Sequence, residues 1–180
     1  MQHGEVLFEE ILRIALILRV PNGGNGPRRI PQLVRSVDVM PTILELMEIP
    51  TANLPLQGES LLPLLAGKDL DLHSFSHARS VSGEEDALVS VRSDRWRFVL
   101  DLAAGTGQLY DLKRDPRETR DVAGSNPDVV ARFRGLLERQ DERDQALAAR
   151  VGPAARPAEL DEKLLRELQA LGYVTGPEDD

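Results

Sequence analysis

The sequence predicts an α/β protein that includes a small antiparallel sheet covered by a helix. Three patterns indicate this class. Residues 15–20 form a short apolar run, interrupted only by Arg19, that ends at the turn sequence PNGGNGP, which is typical of a buried strand in a mixed sheet. From residue 86 onward, apolar and polar residues alternate as in half-buried strands. Beyond Pro127, apolar residues recur at helical spacing and predict the covering helix.

The composition excludes several functional classes. The chain has 180 residues and a formal net charge of −8, which argues against a nucleic-acid partner because phosphate backbones require a concentrated basic surface. It has no cysteine, so disulfides, thiolate metal sites and a cysteine nucleophile are excluded within these residues. The longest apolar stretch, ILRIALILRV, is interrupted by arginines and is too short to span a bilayer. No signal peptide is visible in the sequence.

Two short helices are expected between the apolar run and the sheet. In SVDVMPTILELMEIP, Asp38 is a candidate N-cap and Pro41 falls in the first turn, so the helix should end before Pro50. The residues predicted to form its apolar face are Val39, Ile43, Leu46 and Met47. The segment GESLLPLLAGK predicts a second helix that ends at Gly67.

The segments ALVSVRSDRWRFVLDL and GQLYDL predict an antiparallel meander of about three strands. Asn126 is the expected N-cap of the following helix, and Pro127 is its expected first residue. After a proline-containing linker, ELDEKLLRELQALGYV predicts a terminal helix that ends at Gly172.

The loop GQLYDLKRDPRETRDVAG contains three acids that could bind a cation or act in a turn: Asp111, Asp115 and Glu118. A calcium loop of the EF-hand type requires a central glycine and a bidentate glutamate at its last position, and the spacing of these acids differs from that pattern. The pair Asp115-Pro116 is typical of a turn. The turn interpretation is therefore favoured, and metal binding is the alternative.

The histidines are candidate catalytic or metal-binding residues. His73 and His77 could share a metal only if DLHSFSHARS were helical, and the serines of that segment favour a solvated loop. His3 lies before the segment that leads into the apolar run, in a region where α/β proteins place functional groups on loops. From spacing alone, an exposed terminal residue is the favoured interpretation of His3.

Five motifs, in order along the chain, resemble those of the sulfatase family. The opening HGEVLFEEILRIALILRVP is similar to the family's signature segment, which begins with His-Gly and continues through a pair of glutamates. Further segments of the family resemble SVDVMPTILELMEIP, LQGESLLPLLAGK, QLYDLKRDPRETRDVA and the tail ELQALGYV. The resemblance covers nearly the whole chain, and the linked motifs are more specific together than any one alone.

The resemblance implies an alkaline-phosphatase-like sulfatase fold, of which this chain is the C-terminal part only. The expected parts are the last strand and helices of the large mixed-sheet domain, and a small antiparallel sheet packed by a C-terminal helix. In this division, residues 1–85 complete the catalytic α/β domain, 86–150 form the small subdomain, and 151–180 form a linker and terminal helix. An independent interaction module is the non-enzyme alternative.

An intact sulfatase uses Ca²⁺ and a formylglycine, which is made from Cys or Ser in a [CS]-x-[PA]-x-R motif. That motif is absent from these residues, and the metal ligands of the family would precede Met1. No catalytic residue or metal ligand is therefore expected within the chain, whereas the resemblance implies that His3 contacts the substrate sulfate.

The predicted function is that of a C-terminal fragment of a sulfatase-type hydrolase of sulfate esters, inactive alone. A fragment of a phosphatase, phosphonate hydrolase or transferase of the same superfamily is the competing enzyme interpretation. The expected partner is a sulfate ester in the intact enzyme, with neither nucleic acid nor a membrane span. An unpaired apolar strand would favour self-association of the truncated chain. A periplasmic or secreted location would require a signal peptide upstream.

Overall fold

The computed structural model describes residues 7, 9–20, 26–79, 86–152 and 164. In chain order, the elements are helices α1 (Glu9–Leu12), α2 (Val39–Leu46) and α3 (Leu62–Leu65), strands β1 (Ser74–Arg79), β2 (Asp86–Arg92), β3 (Trp96–Asp101) and β4 (Gly107–Asp111), and helix α4 (Pro127–Val151). Turns of 3₁₀ geometry at Ser36–Asp38 and Ala123–Ser125 precede α2 and α4. Residues 21–25 of the predicted turn lie outside the described residues, and so does the predicted terminal helix apart from Leu164.

The strands form one antiparallel sheet in the order β1-β2-β3-β4. The predicted meander is confirmed as β2, β3 and β4, and β1 adds a further strand at the edge of β2. The expectation of a solvated loop in DLHSFSHARS was wrong, because backbone pairing to β2 outweighs the polar composition of this edge segment. Strand β1 belongs to this sheet although it precedes residue 86, where the predicted small subdomain begins. The division of the chain into domains stays a prediction.

One row of apolar side chains crosses the sheet and forms the main core. Val91 lies opposite Phe98, and Phe98 lies opposite Leu109, so all three lie on the same face, because directly opposed residues of neighbouring strands point to one side of a sheet. Each is fully buried, and Phe133 from α4 packs against them from above. The predicted covering helix is confirmed by this contact.

Helix α4 begins at Pro127, as the sequence predicts, and continues for 25 residues. Asn126 precedes it in the predicted N-cap position, but its side chain donates to the Val122 carbonyl at 2.8 Å instead of capping the helix. The helix packs through apolar residues on one face: Val129, Val130, Phe133, Leu136 and Leu137. Within the part of the chain that the structure describes, no helix has the length and apolarity to cross a membrane.

The motifs SVDVMPTILELMEIP and LQGESLLPLLAGK contact each other through Asp38 and Thr42 of the first motif, which are both buried. The Asp38 carboxylate accepts a hydrogen bond from the backbone N–H of Glu59 at 2.9 Å and forms an ion pair with Arg35 at 2.6 Å. The Thr42 hydroxyl accepts the N–H of Leu61 at 2.9 Å. Asp38 thus holds the predicted N-cap position of α2 without a side-chain cap bond, because its carboxylate joins α2 to the segment before α3.

Gly58 packs against the start of α2, and this contact yields the first prediction. A Cβ on Gly58 would lie 2.0 Å from the Val37 carbonyl oxygen, far inside van der Waals contact. We therefore expect Gly58→Ala to lower the free energy of unfolding by about 1–3 kcal/mol, as measured by urea denaturation. The control is Gly124→Ala, because a Cβ there meets nothing within 4 Å. Equal midpoints for the two variants would show that the Gly58 contact carries no constraint.

Residues 15–20, the predicted buried strand, form neither helix nor strand in this structure. Ile14 and Ile17 are 70% and 92% exposed. The physical reason is that a strand requires a hydrogen-bonded neighbour, and none of the described strands pairs with this segment. The predicted apolar face of α2 is also only partly buried, since Ile43 and Met47 are exposed.

Candidate functional site

The acidic loop after β4 uses its carboxylates in contacts within the protein. Asp111 pairs with Arg95 at 2.9 Å, and this hydrogen bond holds the pKa of Asp111 below its usual value. Asp115 accepts the backbone N–H of Arg120 at 2.8 Å, which lowers the pKa of Asp115. These contacts support the turn interpretation of the loop. Among the described residues, no group of His, Asp and Glu side chains is arranged to hold a metal ion.

The third acid of the loop, Glu118, belongs to a buried ion-pair network. We call this network the Arg97 cluster; its members are Glu9, Arg92, Arg97 and Glu118. The Arg97 and Glu118 side chains are each 1% exposed, and Arg97 Nε lies 2.5 Å from Glu118 Oε1. Arg97 also forms an ion pair with Glu9, which in turn lies 3.2 Å from Arg92 Nε. The cluster thereby joins three distant parts of the sequence.

Burial raises the pKa of Glu118, because the low-polarity interior disfavours its charged form, while the nearby Arg97 partly offsets the effect. The consequence for stability follows from the sign of this shift. The penalty for the charged carboxylate is absent below the pKa of the unfolded chain and grows as the pH rises through the folded-state value. Removing the Glu118 and Arg97 charges from water costs free energy, so the ion pair contributes less to stability than its short distance suggests.

The predicted candidate His3 lies outside the described residues. His73 immediately precedes β1, and His77 lies within it. Four residues of extended chain span about 13 Å, so this backbone does not bring the two imidazoles to one metal ion as a helix would. His73 instead packs edge-on against Phe133, with ring centroids 6.2 Å apart.

His73 gives the second prediction. Burial lowers the pKa of His73, assisted by Arg132 and Arg35 and opposed by Asp71. A lowered pKa means that the neutral form stabilises the fold at neutral pH, and this stability is lost as the pH falls from about 6.5 through the folded-state pKa. We expect the stability of His73→Leu to rise relative to that of the wild-type chain as the pH falls from 7 to 5, measured by urea melts, because the variant lacks this loss. Parallel pH profiles would contradict this prediction.

An open cleft of about 1080 Å³ lies between the segment that follows α1, residues 26–34 and the sheet face that carries Arg92 and Arg97. Its lining combines the exposed apolar residues Ile14 and Ile17 with the basic residues Arg13, Arg28 and Arg29. Arg28 donates to the carbonyl of Leu64 at 3.0 Å and so closes the end of α3. The cleft is a wide surface on which apolar and basic side chains lie together.

The fold defines the class of protein: the chain is the C-terminal part of an alkaline-phosphatase-like sulfatase fold, and the structure of a putative sulfatase from Bacteroides thetaiotaomicron matches it with a TM-score of 0.50 at 24% identity, over 67% of this chain and 27% of that one. The chain belongs to the N-sulphoglucosamine sulphohydrolase C-terminal family, whose model matches residues 3–143. The predicted recognition of a sulfatase and the predicted fold class are confirmed.

Individual relatives agree with this assignment. Arylsulfatase K of Gallus gallus is 31% identical over 144 residues, which covers 73% of this chain and 26% of that protein. The multifunctional alkaline phosphatase superfamily protein PehA of Trinickia caryophylli is 30% identical over 149 residues, covering 72% of this chain and 28% of that protein. The structure of a 2-O GAG sulfatase matches with a TM-score of 0.50 at 25% identity, over 64% of this chain and 26% of that one. The chain thus spans about a quarter of the length of the relatives that it matches.

The sequence interpretation missed the Arg97 cluster. The signal that could have found it is the short turn between β2 and β3, because a turn closed by Ser93 and Trp96 places Arg92 opposite Arg97. The anionic partners could not be found in this way, since Glu9 and Glu118 lie 88 and 21 positions from Arg97 in the sequence.

Proposed function

We propose that this chain is the C-terminal portion of a sulfatase-type hydrolase of sulfate esters, and that it contributes scaffold and one wall of the active-site cleft to a longer enzyme. The observation that carries the proposal is the match of the sulfatase C-terminal family model to residues 3–143. The relatives named as sulfatases supply the substrate class, a sulfate ester.

Calcium and formylglycine are the expected groups of the intact enzyme, and the residues of this chain do not fit them. The chain has no cysteine, and no serine is followed by both Pro or Ala two positions later and Arg four positions later. No acidic and histidine cluster among the described residues is arranged for a cation. We therefore propose that both groups belong to a part of the enzyme outside these residues, and that no catalytic step is carried by this chain alone.

His3 remains the one proposed substrate contact of the chain. A cationic or hydrogen-bond-donating group near the transferring sulfuryl oxygens stabilises charge that develops in the transition state. In a longer enzyme, His3→Ala should therefore lower kcat/KM by roughly ten- to a thousand-fold, whereas unchanged kinetics would remove His3 from the site.

The fourth prediction tests whether the chain acts alone. A purified 180-residue chain should not hydrolyse an aryl sulfate above a buffer control, with or without added Ca²⁺. The reason is that removal of the nucleophile and its metal forfeits most of the catalytic rate, since such groups act as a unit. Calcium-dependent turnover that follows the chain through successive columns would contradict the proposal.

A second candidate function is a phosphoryl- or phosphonyl-transfer enzyme of the same superfamily. The observation that favours it is the 30% identity to the multifunctional alkaline phosphatase superfamily protein of Trinickia caryophylli. The two candidates differ in the nucleophile: formylglycine for the sulfatase, and Ser or Thr for a phosphatase. Mass spectrometry of the nucleophile peptide in the longer enzyme distinguishes them.

A further inference from the structure

Two arginines face each other across neighbouring strands on the sheet face opposite α4. Arg92 in β2 lies opposite Arg97 in β3, and like charges in directly opposed positions destabilise a sheet. The Arg97 side chain is also 1% exposed, and a buried guanidinium without anionic partners is costly. This pair of strands therefore requires carboxylates from elsewhere in the chain.

One of the required carboxylates precedes the sheet strands in the sequence, and the other follows them. Glu9 in α1 forms ion pairs with Arg97 and Arg92, so a single carboxylate lies between the two opposed guanidinium groups. Glu118 binds the remaining side of Arg97 and also accepts the backbone N–H of Glu9 at 3.2 Å. Arg97 Nη1 donates to the Leu7 carbonyl at 3.0 Å. The backbone at both Leu7 and Glu9 is thus bound directly to the cluster.

Glu118 adopts a strained backbone conformation at the position from which its carboxylate contacts Arg97. Its φ is 55°, in the left-handed region that a glutamate rarely occupies. Such strain persists only where surrounding contacts over-determine the conformation. Here the Glu118 N–H donates to the Asp115 carbonyl at 3.2 Å, and the Asp115 side chain holds the Arg120 N–H. The turn after β4 therefore presents the Glu118 carboxylate to the sheet face.

We propose that Arg97 and Glu118 are positioning residues: they fix the segment that begins at Leu7 on the small sheet, and thereby orient the residues before Leu7 in the intact enzyme. His3 is one of those residues, and four residues of chain limit its distance from Leu7 to about 14 Å. The effect on catalysis rests on the proposed function, while the anchoring of the segment is a property of this chain.

Amide hydrogen exchange, measured by NMR on the 180-residue chain, tests the anchoring. In Glu118→Gln and in Glu9→Gln, the backbone amides at positions 9 and 13 should exchange about tenfold faster or more, because charge-assisted contacts that hold α1 are lost. The Phe98 amide in β3 reports whether the sheet stays folded. Glu10→Gln is the matched control, since Glu10 is exposed and adjacent to Glu9. Glu9→Gln keeps the test decisive if Glu118→Gln does not fold, and unchanged exchange at positions 9 and 13 would overturn the proposal.

Kinetics of the longer enzyme test the catalytic consequence. At a temperature well below the melting temperatures of all variants, Glu118→Gln should lower kcat by about tenfold while KM stays within twofold, as expected for a misplaced transition-state contact. Glu10→Gln should leave both constants unchanged. Lost protection at Glu9 with unchanged kcat would overturn the positioning role. An inactive parent enzyme would contradict the proposed function, whereas the exchange experiment alone decides the anchoring.

Discussion

Replacement of Phe133 by alanine should lower the free energy of unfolding by about 3–5 kcal/mol. Phe133 is fully buried and contacts the row formed by Val91, Phe98 and Leu109, so its removal leaves a cavity under α4. The sheet is pinned by its own hydrogen bonds and cannot collapse fully into that space, which places the cost near the upper end for a core residue.

Urea denaturation followed by far-UV circular dichroism measures the loss at Phe133. The matched control is Glu138→Ala on the same helix, because Glu138 is exposed and its replacement should change stability by less than about 0.5 kcal/mol. A loss of under about 1 kcal/mol for Phe133→Ala would mean that α4 does not cover the sheet as described.

Replacement of Arg97 by alanine should also cost about 3–5 kcal/mol. The variant leaves the Glu118 carboxylate, which is 1% exposed, without its ion-pair partner. The loss should shrink as the pH is lowered. Without Arg97 the pKa of Glu118 rises further, so the buried carboxyl becomes protonated and the penalty disappears below the pKa of the unfolded chain.

Arg95 provides the control for Arg97. The Arg95 side chain is 46% exposed, and its partner Asp111, although buried, also accepts the backbone N–H of Lys113 at 3.2 Å, so Arg95→Ala should cost no more than about 1 kcal/mol. Chemical denaturation of both variants at pH 7 and pH 5 makes the comparison. Similar losses for Arg95→Ala and Arg97→Ala, or a loss at Arg97 that grows on acidification, would contradict the account of the Arg97 cluster.

The elements that the sequence predicted well are those whose signal is local. Strands β2 to β4 alternate in polarity, and Pro127 begins α4 where a helix can accept a missing N–H. The edge strand β1 was missed because SFSHAR has no strong strand pattern, and its pairing to β2 depends on a partner that the segment itself does not reveal. The run at 15–20 shows the reverse case: it has a strand-like composition without a neighbouring strand among the described residues.

The candidate site could be predicted only in part, because most of its contacts join residues that are distant in the sequence. The sulfatase motifs could be recognised, and the structure explains two of them through Asp38, Thr42 and Gly58, which bind the segments before α2 and α3 together. The Arg97 cluster depends on strand register and on contacts between residues that lie 21 to 109 positions apart, and neither can be read from spacing along the chain. The role of His3 rests on the family resemblance and stays a prediction.

The most direct measurement of the central claim is the sulfatase activity of the reading frame extended upstream of the Met1 codon, compared with that of the 180-residue chain. The account predicts that only the extended protein hydrolyses an aryl sulfate, and that mass spectrometry of its [CS]-x-[PA]-x-R peptide detects formylglycine. An upstream frame without that motif, or a folded extended protein that carries formylglycine but turns over no sulfate ester, would contradict the claim that this chain is the C-terminal portion of a working sulfatase.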